Sequence, residues 1–338
     1  MKFTRERRVP LAVVGVAVAA VLVTACSSSS TSSGSTATAS ASTSVGASAS
    51  GSAGVTSVVV GALPIIDTAG LQVALKEGYF AQAGLDVTVK SVTQSTAAIP
   101  DLLHGSIDVI GGGNYVSFLQ AQAHGTFPVE FLAAANACEA DSYGVVAMPS
   151  SGIAGPSGLA GKTVAVNLTQ NVQTLTTNAV LAGAGVAGSS VRYVQLPFPD
   201  MVSALKAGRV DAISAVEPFL SAALAAGGRL VTSTCTGPTA AFPLSGYITT
   251  QTWAGQHPAA ARAFQAALEK GNAYADAHPA LVRSLLPTYT KITAKAAAGM
   301  PLGSFPATLG TATLQRVATM MKSGGLAAPT DVSSLLLG

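Results

Sequence analysis

The sequence predicts an α/β fold with two lobes, and three observations support this prediction. From Val55 onward, short apolar runs of strand length alternate with segments of helical pattern, as they do in parallel α/β units. About 284 residues follow Gly54, which is enough for two lobes with separate cores. A stretch of the first half also recurs in the second half at a constant offset, which indicates two lobes of similar topology.

The N-terminal segment has the pattern of a secretory signal peptide. A thirteen-residue apolar run, Leu11–Val23, follows four basic residues, Lys2, Arg5, Arg7 and Arg8. The run is too short for a membrane-spanning helix, which needs about 20 apolar residues. It leads into Val23-Thr24-Ala25-Cys26, which resembles the bacterial lipobox, in which the cysteine is acylated and becomes the first residue after cleavage. We predict a lipoprotein signal peptide over residues 1–25 and a lipid anchor on Cys26; the alternative is an ordinary signal peptide with a chance cysteine.

Residues 26–54 are predicted to be the lipidated cysteine and a disordered tether. Between Ser27 and Gly54 the chain contains only Ser, Thr, Ala and Gly, apart from Val45. Such a segment has nothing to bury that could offset the entropy lost on ordering. As a random coil it would span about 30 Å, so the folded part would hang from the membrane at that distance.

The charge balance gives no reason to expect a nucleic-acid partner. The chain has 18 Lys+Arg and 15 Asp+Glu; four of the former and one of the latter precede Cys26, which leaves 14 of each sign. The basic character therefore belongs to the export signal. No second apolar run reaches membrane-spanning length, so we expect a soluble body that reaches the membrane through its lipid anchor only.

The apolar runs and helical patterns follow one another along the chain from Val55 to Lys322. Strands are predicted at Val55–Leu63, Leu85–Val92, Val109–Gly111, Val129–Ala134, Gly144–Met148, Thr163–Val166, Val191–Leu196, Ala212–Val216 and Gly246–Thr250. Helices are predicted at Thr68–Glu77, Ala98–His104, Asn114–His124, Val172–Ala184, Asp200–Ala207, Pro218–Ala226, Pro258–Ala277, Ala280–Leu286 and Leu309–Lys322. The chain is almost wholly helical after Trp253.

The sequence contains an internal repeat at an offset of 103 residues. The segment "LLHGSIDVIGGGNYVSFL", from Leu102, aligns with "LKAGRVDAISAVEPFLSA", from Leu205. Within it, Asp108 matches Asp211, and each copy reads as a helix end, a glycine turn, a strand and a new helix. The alternative is that helix–glycine–strand junctions look alike in any α/β protein.

Two motif-like stretches do not support nucleotide binding. "GAGVAG", Gly183–Gly188, follows a predicted helix and leads into a strand, whereas a dinucleotide site needs the reverse order. "PSGLAGKT", Pro156–Thr163, has proline where a phosphate-binding loop needs its first glycine. The chain also lacks G-x-S-x-G and H-E-x-x-H motifs, and its four histidines are scattered. We therefore predict no catalytic residue, no metal site and no cofactor.

The stretch "LPIIDTAGLQVALKEGYFAQAGLDVTV" (Leu63–Val89) resembles the opening of solute-binding proteins of ABC importers, in the group that binds nitrate, sulfonates, taurine and thiamine precursors. The resemblance continues through "GLAGKTVAV" (Gly158–Val166), "VSALKAGRVDAISAVEPFLSAAL" (Val202–Leu224) and "GYITTQTWAGQHPAAARAFQAALEKGNAYADAHP" (Gly246–Pro279), and it ends at "LQRVATMMKSGGL" (Leu314–Leu326). No single motif is strong, but their order is specific.

The resemblance implies a two-lobed, hinged periplasmic-binding fold of type II. Each lobe would be a mainly parallel sheet flanked by helices, and two crossings, near Asn136–Tyr143 and near Thr249, would form the hinge. Residues 55–141 would form the first lobe and residues 142–247 the second, and residues 248–338 would return to the first lobe as a helical tail. A small-molecule ligand between the lobes would favour their closure.

The cleft residues follow from the rule that ligands in open α/β sheets bind beyond the carboxyl ends of strands. The loops at those ends are Pro64–Gly70, Gly111–Ser117, Asn136–Tyr143, Asn167–Gln173, Phe198–Asp200 and Val216–Pro218. From their polar side chains we select the candidate ligand-binding residues Asp67, Asn114, Tyr115, Asn167, Thr169, Gln170, Asn171 and Glu217. For each, the alternative is a structural role such as helix capping.

The two remaining cysteines, Cys138 and Cys235, are expected to form a disulfide. The resemblance places Cys138 in the first crossing and Cys235 shortly before the second, and an exported chain allows disulfides to persist. Two free buried thiols are the alternative.

The main functional hypothesis is an extracytoplasmic, lipid-anchored, monomeric solute-binding protein that delivers a small polar nutrient to an ABC permease and its ATPase. An exported enzyme acting on a small molecule is one alternative, and an extracellular sensor or adhesion module is another. The predicted cleft loops contain five acidic residues, Asp67, Glu139, Asp141, Asp200 and Glu217, and no Lys or Arg. This favours an amino-bearing heterocycle or a zwitterion over a simple anion such as nitrate or a sulfonate.

Overall fold

The computed structural model describes residues 55–338. The predicted signal peptide, the lipidated Cys26 and the tether lie outside the described residues. Within residues 55–338, no helix combines the length and the apolar character that a membrane span requires. The described chain contains two five-stranded sheets, and we call each sheet with the helices packed on it a lobe.

The first sheet has the strand order β2-β1-β3-β10-β4. Its strands are β1 (Thr56–Ala62), β2 (Leu85–Ser91), β3 (Val109–Asn114), β4 (Val129–Ala137) and β10 (Pro243–Thr250). β1 pairs in parallel with β2 and β3, whereas β10 runs antiparallel between β3 and β4. All residues of β3 and β4 are buried. β3 is a central strand, as its burial on both faces suggests, whereas β4 lies at the edge of the sheet, where α9 packs on it and Leu336 forms a bridge to Phe131.

The second sheet has the order β7-β6-β8-β5-β9. Its strands are β5 (Tyr143–Ala147), β6 (Thr163–Val166), β7 (Arg192–Gln195), β8 (Ala212–Val216) and β9 (Arg229–Ser233). β6 pairs in parallel with β7 and β8, whereas β5 runs antiparallel between β8 and β9. In each sheet, the antiparallel strand is the one that the chain enters after crossing from the other lobe.

The internal repeat relates equivalent positions of the two sheets. Asp108, just before β3, accepts a hydrogen bond of 2.8 Å from the main-chain N–H of Val59 on β1. Asp211, just before β8, accepts one of 2.7 Å from the main-chain N–H of Thr163 on β6. Each aspartate thereby ties its own strand to the neighbouring one, so the repeat at offset 103 has a structural meaning.

Nine helices of the described chain belong to the first lobe and three to the second. Those of the first lobe are α1 (Ala69–Lys76), α2 (Tyr79–Gln82), α3 (Ile99–Leu103), α4 (Tyr115–Ala123), α8 (Gln251–Gln256), α9 (Pro258–Ala277), α10 (Pro279–Tyr289), α11 (Ala294–Ala298) and α12 (Thr311–Ser323). Those of the second are α5 (Val172–Gly183), α6 (Phe198–Lys206) and α7 (Phe219–Ala225). α9 packs on α1 and β4 through a stripe that includes the buried residues Phe264 and Leu268, and α12 packs on α4 and β10.

Two features of the second half differ from the sequence-based expectation. β9 was not predicted, because this edge strand is half exposed and begins with an arginine. The last predicted strand, Gly246–Thr250, was divided between the second lobe and the returning tail, yet β10 begins at Pro243 and lies wholly in the first sheet. The chain thus returns to the first lobe before Pro243 instead of at residue 248, because β10 pairs with β4 from Ala137 to Val129.

The two crossings between the lobes lie side by side. The first joins β4 to β5 and the second joins β9 to β10. The main-chain N–H of Cys138 donates a hydrogen bond of 2.9 Å to the carbonyl of Phe242. Cys138 and Cys235 form a disulfide between the crossings, with 5.1 Å between their Cα atoms.

Candidate functional site

The loops at the strand ends of the two lobes meet directly. The main-chain N–H of Ile66, in the loop after β1, donates a hydrogen bond of 3.1 Å to the carbonyl of Glu217, in the loop after β8. The hydroxyl of Tyr143, at the start of β5, donates one of 2.6 Å to Oδ1 of Asp67. The candidate site is therefore an inter-lobe junction, as the strand-end rule predicts.

Asp67 lies in a short 3-10 turn between β1 and α1 and is only 3% exposed. Its second oxygen, Oδ2, accepts a hydrogen bond from the hydroxyl of Ser245 on β10. Burial raises the pKa of the Asp67 carboxyl from 3.8 to about 6, although the hydrogen bonds from Ser245 and Tyr143 oppose this shift. Both carboxylate oxygens of Asp67 already have protein donors, one on each of the strands that follow a crossing.

Glu217 is the second buried carboxylate of the junction, and it is 1% exposed. Its Oε2 accepts a hydrogen bond of 3.0 Å from the main-chain N–H of Ser221, and its Oε1 accepts one of 2.7 Å from the Ser221 hydroxyl. Burial raises the pKa of Glu217 to about 7. Near neutral pH, this carboxyl exists in both protonation states, so it can accept or donate a hydrogen bond to a ligand.

Two candidate residues lie at the start of α4. Asn114 caps α4, because its side chain accepts a hydrogen bond of 2.9 Å from the N–H of Ser117. Tyr115 is buried with its ring 5.5 Å from that of Phe131, and it lines a cavity of about 310 Å³ together with Asn136 and Arg316.

The loop between β6 and α5 is internally braced. Asn171 caps α5 by accepting hydrogen bonds from the N–H groups of Gln173 and Thr174, while the Thr174 hydroxyl accepts one from the N–H of Asn171. The main-chain N–H of Asn167 donates to Oε1 of Gln173 at 2.7 Å, and Nε2 of Gln173 donates to the carbonyl of Ser214 on β8. Helix capping therefore explains the side-chain contacts of Asn171. Asn167 instead contacts the first lobe, because its carbonyl accepts a hydrogen bond from Gln94 and its Nδ2 donates one to the carbonyl of Thr93.

Thr169 and Gln170 are exposed, and they lie at one end of a groove of about 1210 Å³ between α5 and α12. The groove walls are mainly apolar and include Leu175, Ala179 and Met320. Asp67, Asn167 and Glu217 do not line it. Because α5 belongs to the second lobe and α12 to the first, the groove also lies between the lobes, and Thr169 and Gln170 line it.

Four junction residues were not selected from the sequence. Tyr143 and Ser245 hold Asp67, while Gln94 and Gln120 of the first lobe donate hydrogen bonds to the loop between β6 and α5. Tyr143 is the last residue of the strand-end loop Asn136–Tyr143, so its position in the sequence is a usable signal. Gln120 lies within α4, and its spacing in the sequence carries no such signal.

The charge of the junction is acidic. Among the described residues, the buried charged side chains are the carboxylates Asp67, Glu130 and Glu217, and no Lys or Arg is buried. In the same part of the chain, no group of three or more His, Cys, Asp or Glu residues could hold a metal ion. The junction can therefore offer buried hydrogen-bond acceptors and neutral amides, whereas the one arginine that lines the groove among the described residues, Arg316 on α12, is not buried.

Residues 65–281, which make up 217 of the 338 residues, match the NMT1/THI5-like family. No curated protein shows significant sequence similarity to the chain. The architecture is the periplasmic binding protein fold, so the predicted fold is confirmed.

Three solved structures illustrate the range of proteins with this fold. The ligand-binding component of an ABC-type import system from Staphylococcus aureus, solved with zinc bound, is 14% identical, with a TM-score of 0.73 over 83% of this chain and 96% of that chain. The alkanesulfonate-binding protein SsuA from Xanthomonas axonopodis pv. citri, bound to MOPS, is 16% identical, with a TM-score of 0.69 over 84% and 99%. The desulfurization enzyme DSZB is 17% identical, with a TM-score of 0.60 over 83% and 95%.

Proposed function

The chain belongs to the NMT1/THI5-like family, and from this premise we propose that it is the extracytoplasmic solute-binding component of an ABC importer. Two lobes of equivalent topology meet at their strand ends around two buried carboxylates, and paired crossings join the lobes. This arrangement suits capture of a small molecule by lobe closure. The import-system component from Staphylococcus aureus and SsuA, which share the fold, support the assignment.

Delivery to a membrane permease and its ATPase is part of the same proposal. The signal peptide and lipidated Cys26 expected from the sequence would hold the protein, as a monomer, at the outer face of the cell membrane. The disulfide between Cys138 and Cys235 supports a location outside the cytoplasm, because disulfides persist in oxidising compartments.

For the ligand, we propose a small molecule that donates hydrogen bonds, such as an amino-bearing heterocycle or a zwitterion. Asp67 and Glu217 are acceptors in a junction without buried cations. Because Glu217 has a pKa of about 7, it can also meet an acceptor on the same ligand. A bare anion would gain less binding free energy at this junction, since its usual partner, an arginine, is absent from the buried residues of the described chain.

The test is a calorimetric screen of the purified protein with aminopyrimidines, amines, taurine, alkyl sulfonates and nitrate. We expect micromolar binding of an amino-bearing ligand that is weakened at least tenfold in Asp67→Asn and Glu217→Gln. Glu130→Gln is the matched control, because Glu130 is a buried carboxylate on β4, outside the junction. Binding of nitrate or a simple sulfonate that is undiminished in both junction variants would contradict the ligand assignment.

An exported enzyme remains the second candidate because DSZB, an enzyme, has the same fold. The two functions differ in the fate of the ligand. A solute-binding protein stabilises itself by binding a ligand that is recovered unchanged, whereas an enzyme converts it. Mass spectrometry of the bound compound after prolonged incubation separates the two, and a converted compound would overturn the importer assignment.

A further inference from the structure

Two glutamine side chains of the first lobe reach the main chain of the second lobe. Nε2 of Gln94, in the loop after β2, donates a hydrogen bond of 2.7 Å to the carbonyl of Asn167. Nε2 of Gln120, on α4, donates one of 2.6 Å to the carbonyl of Gln170. Both acceptors belong to the loop between β6 and α5, and the two donors approach that loop from different elements of the first lobe.

The accepting loop is held in place by its own lobe. Asn167 is bound through its N–H to Gln173, which is bound in turn to Ser214 on β8. Gln170 has a φ of 53°, a left-handed conformation that is uncommon for non-glycine residues. Nδ2 of Asn167 also donates a hydrogen bond of 3.4 Å to the carbonyl of Thr93 in the first lobe. The bonds to Gln173 brace the loop without involving Gln94 or Gln120, so little entropy is lost when the two glutamines bind it.

We propose that Gln94 and Gln120 form a latch that sets the ratio of closed to open protein. Each hydrogen bond of the latch joins protein atoms only, so it favours closure by the same factor whichever ligand is present. When the lobes separate, the amides and carbonyls return to water, and for this reason the net effect of one such bond is about threefold to tenfold. Glutamine suits this role because its amide is long enough to reach across and carries no charge that a ligand would sense.

The latch regulates the site described under Proposed function, and in that respect it rests on the proposed function. The apparent dissociation constant of a ligand that binds the closed form varies inversely with the closed fraction. Removing the latch would weaken every ligand by one common factor, whereas changing Asp67 or Glu217 would alter the preference among ligands. The latch itself is tested without a ligand.

The test measures the distance between two spin labels, one on each lobe, by double electron–electron resonance in the processed full chain. Leu103 on α3 and Leu224 on α7 are exposed and accept labels as Leu103→Cys and Leu224→Cys. We expect the variant with Gln94→Ala and Gln120→Ala to lower the closed-to-open ratio at least tenfold. Gln82→Ala is the matched control, since Gln82 donates a hydrogen bond of 3.3 Å to the carbonyl of Glu77 within the first lobe, and it should leave the distances unchanged.

A distance distribution of the double variant that superimposes on that of the parent would overturn the latch. If the alanine variant unfolds, Gln94→Asn with Gln120→Asn gives the same test, because asparagine keeps the amide but is one methylene too short. Unchanged distances would overturn the latch alone and would not contradict the proposed capture of a ligand. A failed ligand screen together with shifted distances would refute the proposed function and leave the latch standing.

Discussion

Tyr143 donates a hydrogen bond of 2.6 Å to Oδ1 of Asp67, and this contact joins the antiparallel strand of the second sheet to the first loop of the first sheet. The other carboxylate oxygen of Asp67 is bound by Ser245 on β10, the antiparallel strand of the first sheet. Asp67 therefore contacts both strands that follow a crossing. The ionisation of Asp67 therefore affects contacts beside both crossings, which form the hinge, as well as contacts within the junction.

The first prediction concerns the pH dependence of stability. Burial raises the pKa of Asp67 from 3.8 in the unfolded chain to about 6, so between about pH 4 and pH 6 the folded state binds more protons than the unfolded state. The contribution of Asp67 is thus fully present below the unfolded pKa and is lost as the pH rises through the folded pKa. The pKa difference of about 2 units corresponds to roughly 3 kcal/mol.

Asp67→Asn should remove that decline in the free energy of unfolding, as measured by urea unfolding at a series of pH values. The free energy of unfolding of this variant should still fall at slightly higher pH, because Glu217 has a pKa of about 7. The control is Asp86→Asn, at an exposed position on β2. Identical pH profiles for Asp67→Asn and the parent would show that Asp67 is not buried in this way.

The second prediction separates the hydrogen bond from the charge. Tyr143→Phe removes a donor that favours the ionised form of Asp67, so the pKa of Asp67 should rise further. The variant should lose about 1–3 kcal/mol of stability at neutral pH, and less at pH 4, where Asp67 is protonated. Tyr193→Phe is the matched control, because the Tyr193 hydroxyl donates to the neutral Oδ1 of Asn178 at 2.7 Å. Equal losses at both pH values for Tyr143→Phe would contradict the prediction.

The sequence was sufficient to predict most strands, because buried strands such as β4 and β8 are short apolar runs that end at turn residues. It did not reveal that β5 and β10 are antiparallel, since strand direction follows from the path of the crossings and not from local composition. β9 was missed because an edge strand need not be apolar on both faces.

The candidate site was predictable where it depends on strand ends and unpredictable where it depends on side-chain reach. Asp67, Asn167 and Glu217 follow strand ends, and each takes part in a hydrogen bond that joins the two lobes. Gln94 and Gln120 bind main-chain carbonyls, and any residue could supply those acceptors, so no pattern in the sequence marks the pair.

The third prediction concerns the contact between α1 and α9. A Cβ atom on Gly70 would overlap Oδ1 of Asn272, whose Nδ2 donates hydrogen bonds to the carbonyls of Ala134 and Pro306. Gly70→Ala should therefore lower the free energy of unfolding by about 1–3 kcal/mol, because the buried amide cannot move without losing partners. Gly255→Ala on α8, where nothing lies within 4 Å of the added atom, should be neutral or slightly stabilising. Equal stability of the two variants in urea would refute this account.

The fourth prediction concerns the disulfide between Cys138 and Cys235, which closes a loop with a sequence separation of 97. In the chain-entropy model, a loop of this length stabilises the folded state by about 4–5 kcal/mol. The variant with both Cys138→Ser and Cys235→Ser should lose stability of this order in urea, and it should not respond to reductant. The parent should lose the same amount when reduced. A parent protein with two alkylatable thiols at these positions before reduction would contradict the disulfide.

The fifth prediction concerns Cys26, whose role as a lipid anchor is an expectation from the sequence. Each acyl chain contributes about 0.8 kcal/mol per buried methylene, so the several chains of a lipoprotein hold it firmly in the membrane. Cys26→Ala leaves no thiol to acylate, and the protein should move from the detergent phase to the aqueous phase in a phase-separation experiment. Cys138→Ser with Cys235→Ser is the control for loss of a thiol elsewhere, and it should stay in the detergent phase. Normal processing and unchanged detergent partitioning of Cys26→Ala would mean that the cysteine after the signal segment is there by chance.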